Sequence, residues 1–154
     1  MWHAALGCLL LALFAGPAQA EWLEASSDHF VIYGDQSEKS IREFADRLER
    51  FHAGMSLFLR RPPTKPSPSN RVSVYVVTNE AKVRQVMGAS DRYIAGVYLP
   101  RAGASIAIVP KLRGKRSQYD MSGETVLYHE YAHHFMWTLT ARTFPRWFVE
   151  GFAE

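Results

Sequence analysis

Gly123-Glu-Thr-Val-Leu-Tyr-His129-Glu130-Tyr-Ala-His133-His134-Phe-Met-Trp-Thr-Leu139 is the run on which the reading of this chain turns. Asp120, Ser122 and Gly123 make a turn-like entry, with Ser122 a good N-cap and Glu124 in the first turn, where the helix dipole favours negative charge. Val126, Leu127, Ala132, Phe135, Met136 and Leu139 then recur at helical spacing. Thr140 to Thr143 loses the pattern, and Pro145 stops the helix or starts the next one. The run therefore predicts an amphipathic helix with His-Glu-x-x-His at its centre.

On such a helix His129 and His133 lie one turn apart on one face. Each can place a nitrogen about 2.0–2.1 Å from a single zinc ion. Glu130 is rotated about 100° from His129, so it can face a water at the metal rather than bind the metal. A metal-assisted hydrolase needs this arrangement. The plain alternative is a surface helix with three histidines and no metal. The apolar surroundings count against it, since buried imidazoles need partners.

A catalytic zinc takes three protein ligands. Asp120, His134, Glu150 and Glu154 are the candidates for the third. His134 points about 100° away from His133, and Asp120 precedes the helix by more than two turns. Glu150 is preferred, on a short second helix after Pro145. Glu154, at i+4 from Glu150, shares its face and could accept the outer N–H of a liganding histidine. The plain reading of both glutamates is a solvated helix face.

His129-Glu130-x-x-His133 followed by Trp147-x-x-Glu150-Gly-x-Ala-Glu154 resembles the gluzincins, zinc peptidases whose third ligand is a glutamate from a later helix. The stretch from Glu21 onward is similar to bacterial peptidase-MA-like domains. The resemblance implies one Zn2+ held by His129, His133 and Glu150, with Glu130 as general base. It also implies a buttressing place for Glu154, where thermolysin-like enzymes carry an aspartate. The His133–Glu150 gap is two residues shorter than in the related aminopeptidases. No equivalent of their exopeptidase recognition motif lies upstream, which speaks against aminopeptidase activity.

The first residues bear on location. Leu6 to Ala15 is apolar, and Ala18-Gln19-Ala20 is an A-x-A-type cleavage site before Glu21. Residues 1–20 read as a secretory signal peptide, although no Lys or Arg precedes the apolar run. An uncleaved anchor is the alternative, but the run is short for a membrane span. Cys8 is the single cysteine, so a chain starting at Glu21 has no disulfide. Eighteen basic residues against 15 acidic ones, net +3, are too balanced to imply nucleic acid. Lys111-Leu-Arg-Gly-Lys-Arg116 and Arg60-Arg61 read as solvated loops.

Residues 21–154 are long enough for one core-bearing domain. His29 to Tyr33 reads as a strand with Gly34-Asp35 as its turn. Ser37 caps a helix whose apolar face is Ile41, Phe44, Ala45, Leu48, Phe51, Met55 and Phe58. Arg61 to Asn70 is a Pro-rich connector. Arg71 to Thr78 is the clearest strand, and Asn79 caps a short helix up to Met87. Tyr93 to Leu99 and Ala104 to Val109 read as strands around Pro100-Arg-Ala-Gly103, a candidate hairpin.

This order predicts an α+β (α/β-like) fold, a small mixed sheet with packed helices. By resemblance it is the N-terminal half of a zincin-like fold. One strand within 93–109 would be a sheet edge to which an extended peptide could add. The chain stops at Glu154 within the helix of the third ligand, so a C-terminal part completing the cleft is expected. Tyr93, Tyr98, Tyr128 and Tyr131 are the local candidates for stabilising an oxyanion. The expected function is that of an exported, periplasmic or secreted zinc endopeptidase acting on peptide or protein substrates, without a stable membrane span. A non-catalytic zinc-binding or scaffold module of the cell envelope is the alternative.

Overall fold

The computed structural model describes residues 21–62, 64–91, 94–101, 103–111, 123–139 and 144–154, all but the side chain of Leu139. The signal peptide expected at 1–20, Tyr93, Asp120, the Ser122 cap and the basic cluster beyond Lys111 lie outside the described residues. Among those described, no helix is long and apolar enough to cross a membrane.

The fold is a small α+β arrangement around a five-stranded mixed sheet in the order β1-β2-β3-β5-β4. Its strands are β1 (Leu23–Ser26), β2 (Phe30–Gly34), β3 (Val72–Val77), β4 (Val97–Leu99) and β5 (Ile106–Pro110). The three central strands β2, β3 and β5 run parallel, and each edge strand pairs antiparallel with its neighbour. The expected hairpin is present, with Val97 opposite Ile108 and Leu99 opposite Ile106. Its β4 arm is shorter than the expected strand. β1 has no counterpart in the sequence reading, because Leu-Glu-Ala-Ser carries neither a β-branched nor an aromatic residue.

Helix α1 (Glu38–Phe58) starts as expected, with Ser37 Oγ accepting from the Ser40 N–H at 3.3 Å. Ile41, Phe44, Ala45 and Leu48 are buried, and Phe51 and Met55 pack at the margin. The expected apolar face does not extend to Phe58, which is 78% exposed. It lies in the last turn of the helix, where the C-cap residue Leu59 packs against the core instead. Helix α2 (Glu80–Met87) has the expected bounds: Asn79 Oδ1 accepts from the Lys82 N–H, and Gly88 closes it at φ 62°.

Residues alternate across the strands. Phe30, Ile32, Val72, Val74, Val76, Ala107 and Val109 form the face covered by α1 and by helix α3 (Gly123–Leu139), whose Leu127, Tyr131 and Phe135 join that core. α2 covers part of the other face, with Val83 against Val77 and Ile108.

Several contacts fix α3. Glu124 Oε1 accepts from Arg47 Nε at 2.7 Å and from the Tyr128 hydroxyl at 2.6 Å, and Tyr128 stacks on Phe51 of α1. Two glycines set how closely α3 approaches the sheet. A Cβ at Gly96, beside β4, would lie 2.4 Å from Val126 Cγ1, and one at Gly123 would lie 2.4 Å from the Pro110 carbonyl oxygen. A last helix, α4 (Arg146–Ala153), packs on α3 and buries none of its residues fully.

Candidate metal centre

The site is built from one face of α3 and one face of α4. Pro145 starts α4: its carbonyl accepts from the Phe148 and Val149 N–H groups at 3.0 and 3.2 Å, and its ring fixes φ at −58°. Glu150, one turn into α4, thereby faces the His129–His133 pair.

The ligand atoms converge. His129 Nε2 and His133 Nε2 are 3.2 Å apart, and Glu150 Oε2 is 3.4 Å from the first and 3.5 Å from the second. Among the described residues these three form the group that could hold a metal ion. Adjacent ligand atoms of a tetrahedral site with bonds of about 2.0–2.1 Å are separated by about 3.3–3.4 Å. The observed triangle has edges close to those, so the three residues could hold a metal ion of zinc's size. Access increases from His133 at 11% through His129 at 24% to Glu150 at 46%, which leaves the Glu150 side open.

The surroundings of the triad are uneven. His129 Nδ1 faces Glu154 Oε1 at 3.8 Å, longer than a hydrogen bond, and Glu154 is 81% exposed. His133 Nδ1 is buried with no hydrogen-bond partner among the described residues. Such an orphan costs roughly 1–3 kcal/mol. Arg146 Nε stands 3.8 Å from the other Glu150 oxygen, an exposed pairing worth little. The i,i+4 spacing of Arg146 and Glu150 was available in the sequence but passed unread.

Glu130 lies beside the triad and is not a corner of it. Burial pushes its carboxyl above the usual carboxylate range, against the opposing pull of His129 and His133, while Glu150 adds to the rise.

His134 turns the other way, as its position on the helix requires. Its Nδ1 hydrogen-bonds the Tyr98 hydroxyl, and burial holds its imidazole down at about 4. Each described tyrosine considered for an oxyanion is committed elsewhere. Tyr98 meets His134, Tyr128 donates to Glu124, and Tyr131 pairs with His52 Nδ1 at 2.7 Å.

Sequence reasoning missed the polar seam to which Tyr98 and Tyr131 belong. His29 and His52 stack with centroids 3.7 Å apart. His29 Nδ1 meets Glu49 Oε2 at 2.7 Å and its Nε2 meets the Thr64 carbonyl at 3.1 Å. Burial works to raise the Glu49 carboxyl, but hydrogen bonds from Ser27 and from the backbone and ring of His29 bring it below its ordinary value. No spacing signal could have joined residues 29, 49, 52, 98, 131 and 134, which come from four separate segments.

Comparison with protein-family models, with curated proteins and with solved structures finds no match for the chain.

Proposed function

We propose that this chain carries the catalytic centre of an exported zinc-dependent peptidase, with His129, His133 and Glu150 as the metal ligands. The observation that carries the reading is the 3.2, 3.4 and 3.5 Å triangle of two imidazole nitrogens and one carboxylate oxygen, which has the edges of a tetrahedral zinc site. Three protein ligands leave a fourth position, the pattern of catalytic rather than structural zinc. A bound Zn2+ would polarise a carbonyl and lower the pKa of a water it holds towards 7.

The chain's own residues do the remainder. Glu130, set beside the ligands but off their face, takes the proton of a water in the cleft and returns it to the leaving amine. Its half-buried carboxyl, raised by desolvation, is tuned in the direction that suits a group accepting and then releasing a proton. The α3–α4 side of the site is open at Glu150, so a peptide substrate can approach from there. Endopeptidase action is preferred because no exopeptidase motif accompanies the site. Export follows from the apolar run and Ala18-Gln19-Ala20 at the start of the chain.

The test pairs metal analysis with proteolysis. The purified full chain should bind about one equivalent of zinc and cleave an unfolded protein substrate. Glu130→Gln should keep the metal and lose cleavage. A chain that binds zinc but shows no Glu130-dependent cleavage of protein or peptide would be a zinc-binding module instead.

A further inference from the structure

On the sheet side of α3 lies a cavity of about 350 Å3, to which His129, Glu130, His133 and Glu150 contribute nothing. At about 30 Å3 per liquid water it has room for roughly a dozen water-sized groups. His29, His52 and His134 all line it. They do not form a second metal site, because among the described residues only the His129 group converges. The ring nitrogens of His29 are both taken, and those of His52 meet Tyr131 and, at 3.4 Å, Ser56 Oγ.

His134 differs. Its Nδ1 hydrogen-bonds the Tyr98 hydroxyl, and its Nε2 meets no described partner. The tautomer that accepts from Tyr98 at Nδ1 carries its ring hydrogen on Nε2. In that tautomer His134 presents an N–H donor to the cavity it lines. Arg101 supplies a permanent cation to the same cavity, in the turn whose Arg101 N–H donates to Ser105 Oγ at 3.3 Å. No described Asp or Glu lines the cavity. Glu49, which meets the lining residue His29, is engaged by Ser27 and His29. Pro66, Val72 and Phe135 make part of the lining apolar.

We propose that this cavity binds a small organic carboxylate, with its head on Arg101 and His134 and its apolar body against Val72 and Phe135. One permanent cation and one donor match a single negative charge. A phosphate would leave the apolar wall uncovered and its second charge unanswered. The site is independent of the metal reading.

Benzoate, of fitting size, is the probe. Titrated into the full chain and followed by calorimetry and by the imidazole NMR signals of His134, it should bind saturably at one site. Its neutral analogue benzamide and inorganic phosphate should each bind at least tenfold more weakly. Arg101→Gln, at an exposed position, should weaken benzoate about tenfold and leave benzamide unchanged. His129→Ala should leave benzoate binding as it was. Equal affinity for benzoate and benzamide, or no effect of Arg101→Gln, would overturn the proposal. So would loss of benzoate binding in His129→Ala, which would place the carboxylate at the histidine–glutamate cluster.

Discussion

Helix α3 separates two groups of histidines that obey opposite rules. On its sheet side, His29, His52 and His134 are held by Glu49, Tyr131 and Tyr98, each ring anchored by at least one polar partner. On its α4 side, His129 and His133 point two nitrogens at each other, with a carboxylate oxygen beside both. The first group is what burial demands of an imidazole. The second brings ligand atoms together around a point where, among the described residues, a metal ion could be held. Histidine content is therefore uninformative here. What marks a site is where the ring nitrogens end up.

The sharpest way to break this contrast is metal analysis of variants from both groups. His129→Ala or His133→Ala should take zinc from about one equivalent to nearly none, because two protein ligands rarely retain a catalytic ion. His52→Gln should leave zinc content unchanged. Zinc near one equivalent in either ligand variant would erase the distinction.

Glu130→Gln probes the convergent side without touching a ligand. Hydrolysis should fall about 10²–10⁴-fold with zinc retained, since the amide keeps the shape but cannot accept a proton. Activity within a few-fold of the parent would assign the base elsewhere.

Smaller effects sharpen the contrast within α4. Glu154→Ala should weaken zinc by about 10–100-fold at most, the usual cost of an outer carboxylate, and its 3.8 Å separation from His129 places it at the low end. Glu150→Ala should cost considerably more, because a bond and a compensating charge go together. Both residues share one helix, so general damage to α4 would affect them alike. Equal losses in a competition titration would remove Glu150 from the ligand set.

The gentlest test uses acid. Burial holds His52 and His134 down at about 4, below their ordinary 6.5. The unfolded chain therefore binds more protons than the folded one between those values, and stability must fall as pH drops from about 6.5 to about 4. Thermal denaturation of metal-free protein should show Tm falling through that window. A flat profile would mean the sheet-side rings are less buried than described.

How much of this was legible in the sequence depended on distance along the chain. Asn79 and Gly88 bound α2 because caps are local chemistry, and His129, His133 and Glu150 could be paired because a helix and one turn separate them. β1 escaped because its four residues carry no strand signal of their own and are ordered by pairing with β2. Phe58 was misplaced because periodicity assumes the helix goes on, whereas α1 ends there and Leu59 of the cap packs against the core instead. The histidine–tyrosine seam was illegible for a related reason: its members meet only once the sheet has brought distant segments together.

Gly96 and Gly123 carry a consequence for protein engineering. They let α3 settle so close to β4 and the end of β5 that a methyl group at either position would collide at 2.4 Å. The helix bearing His129 and His133 is thus not a portable cassette. Transplanted onto a host sheet with side chains at those two points, it would ride higher or tilt. Its imidazoles would then no longer meet a carboxylate delivered from a neighbouring helix. A graft should carry both glycines and the strand ends they face.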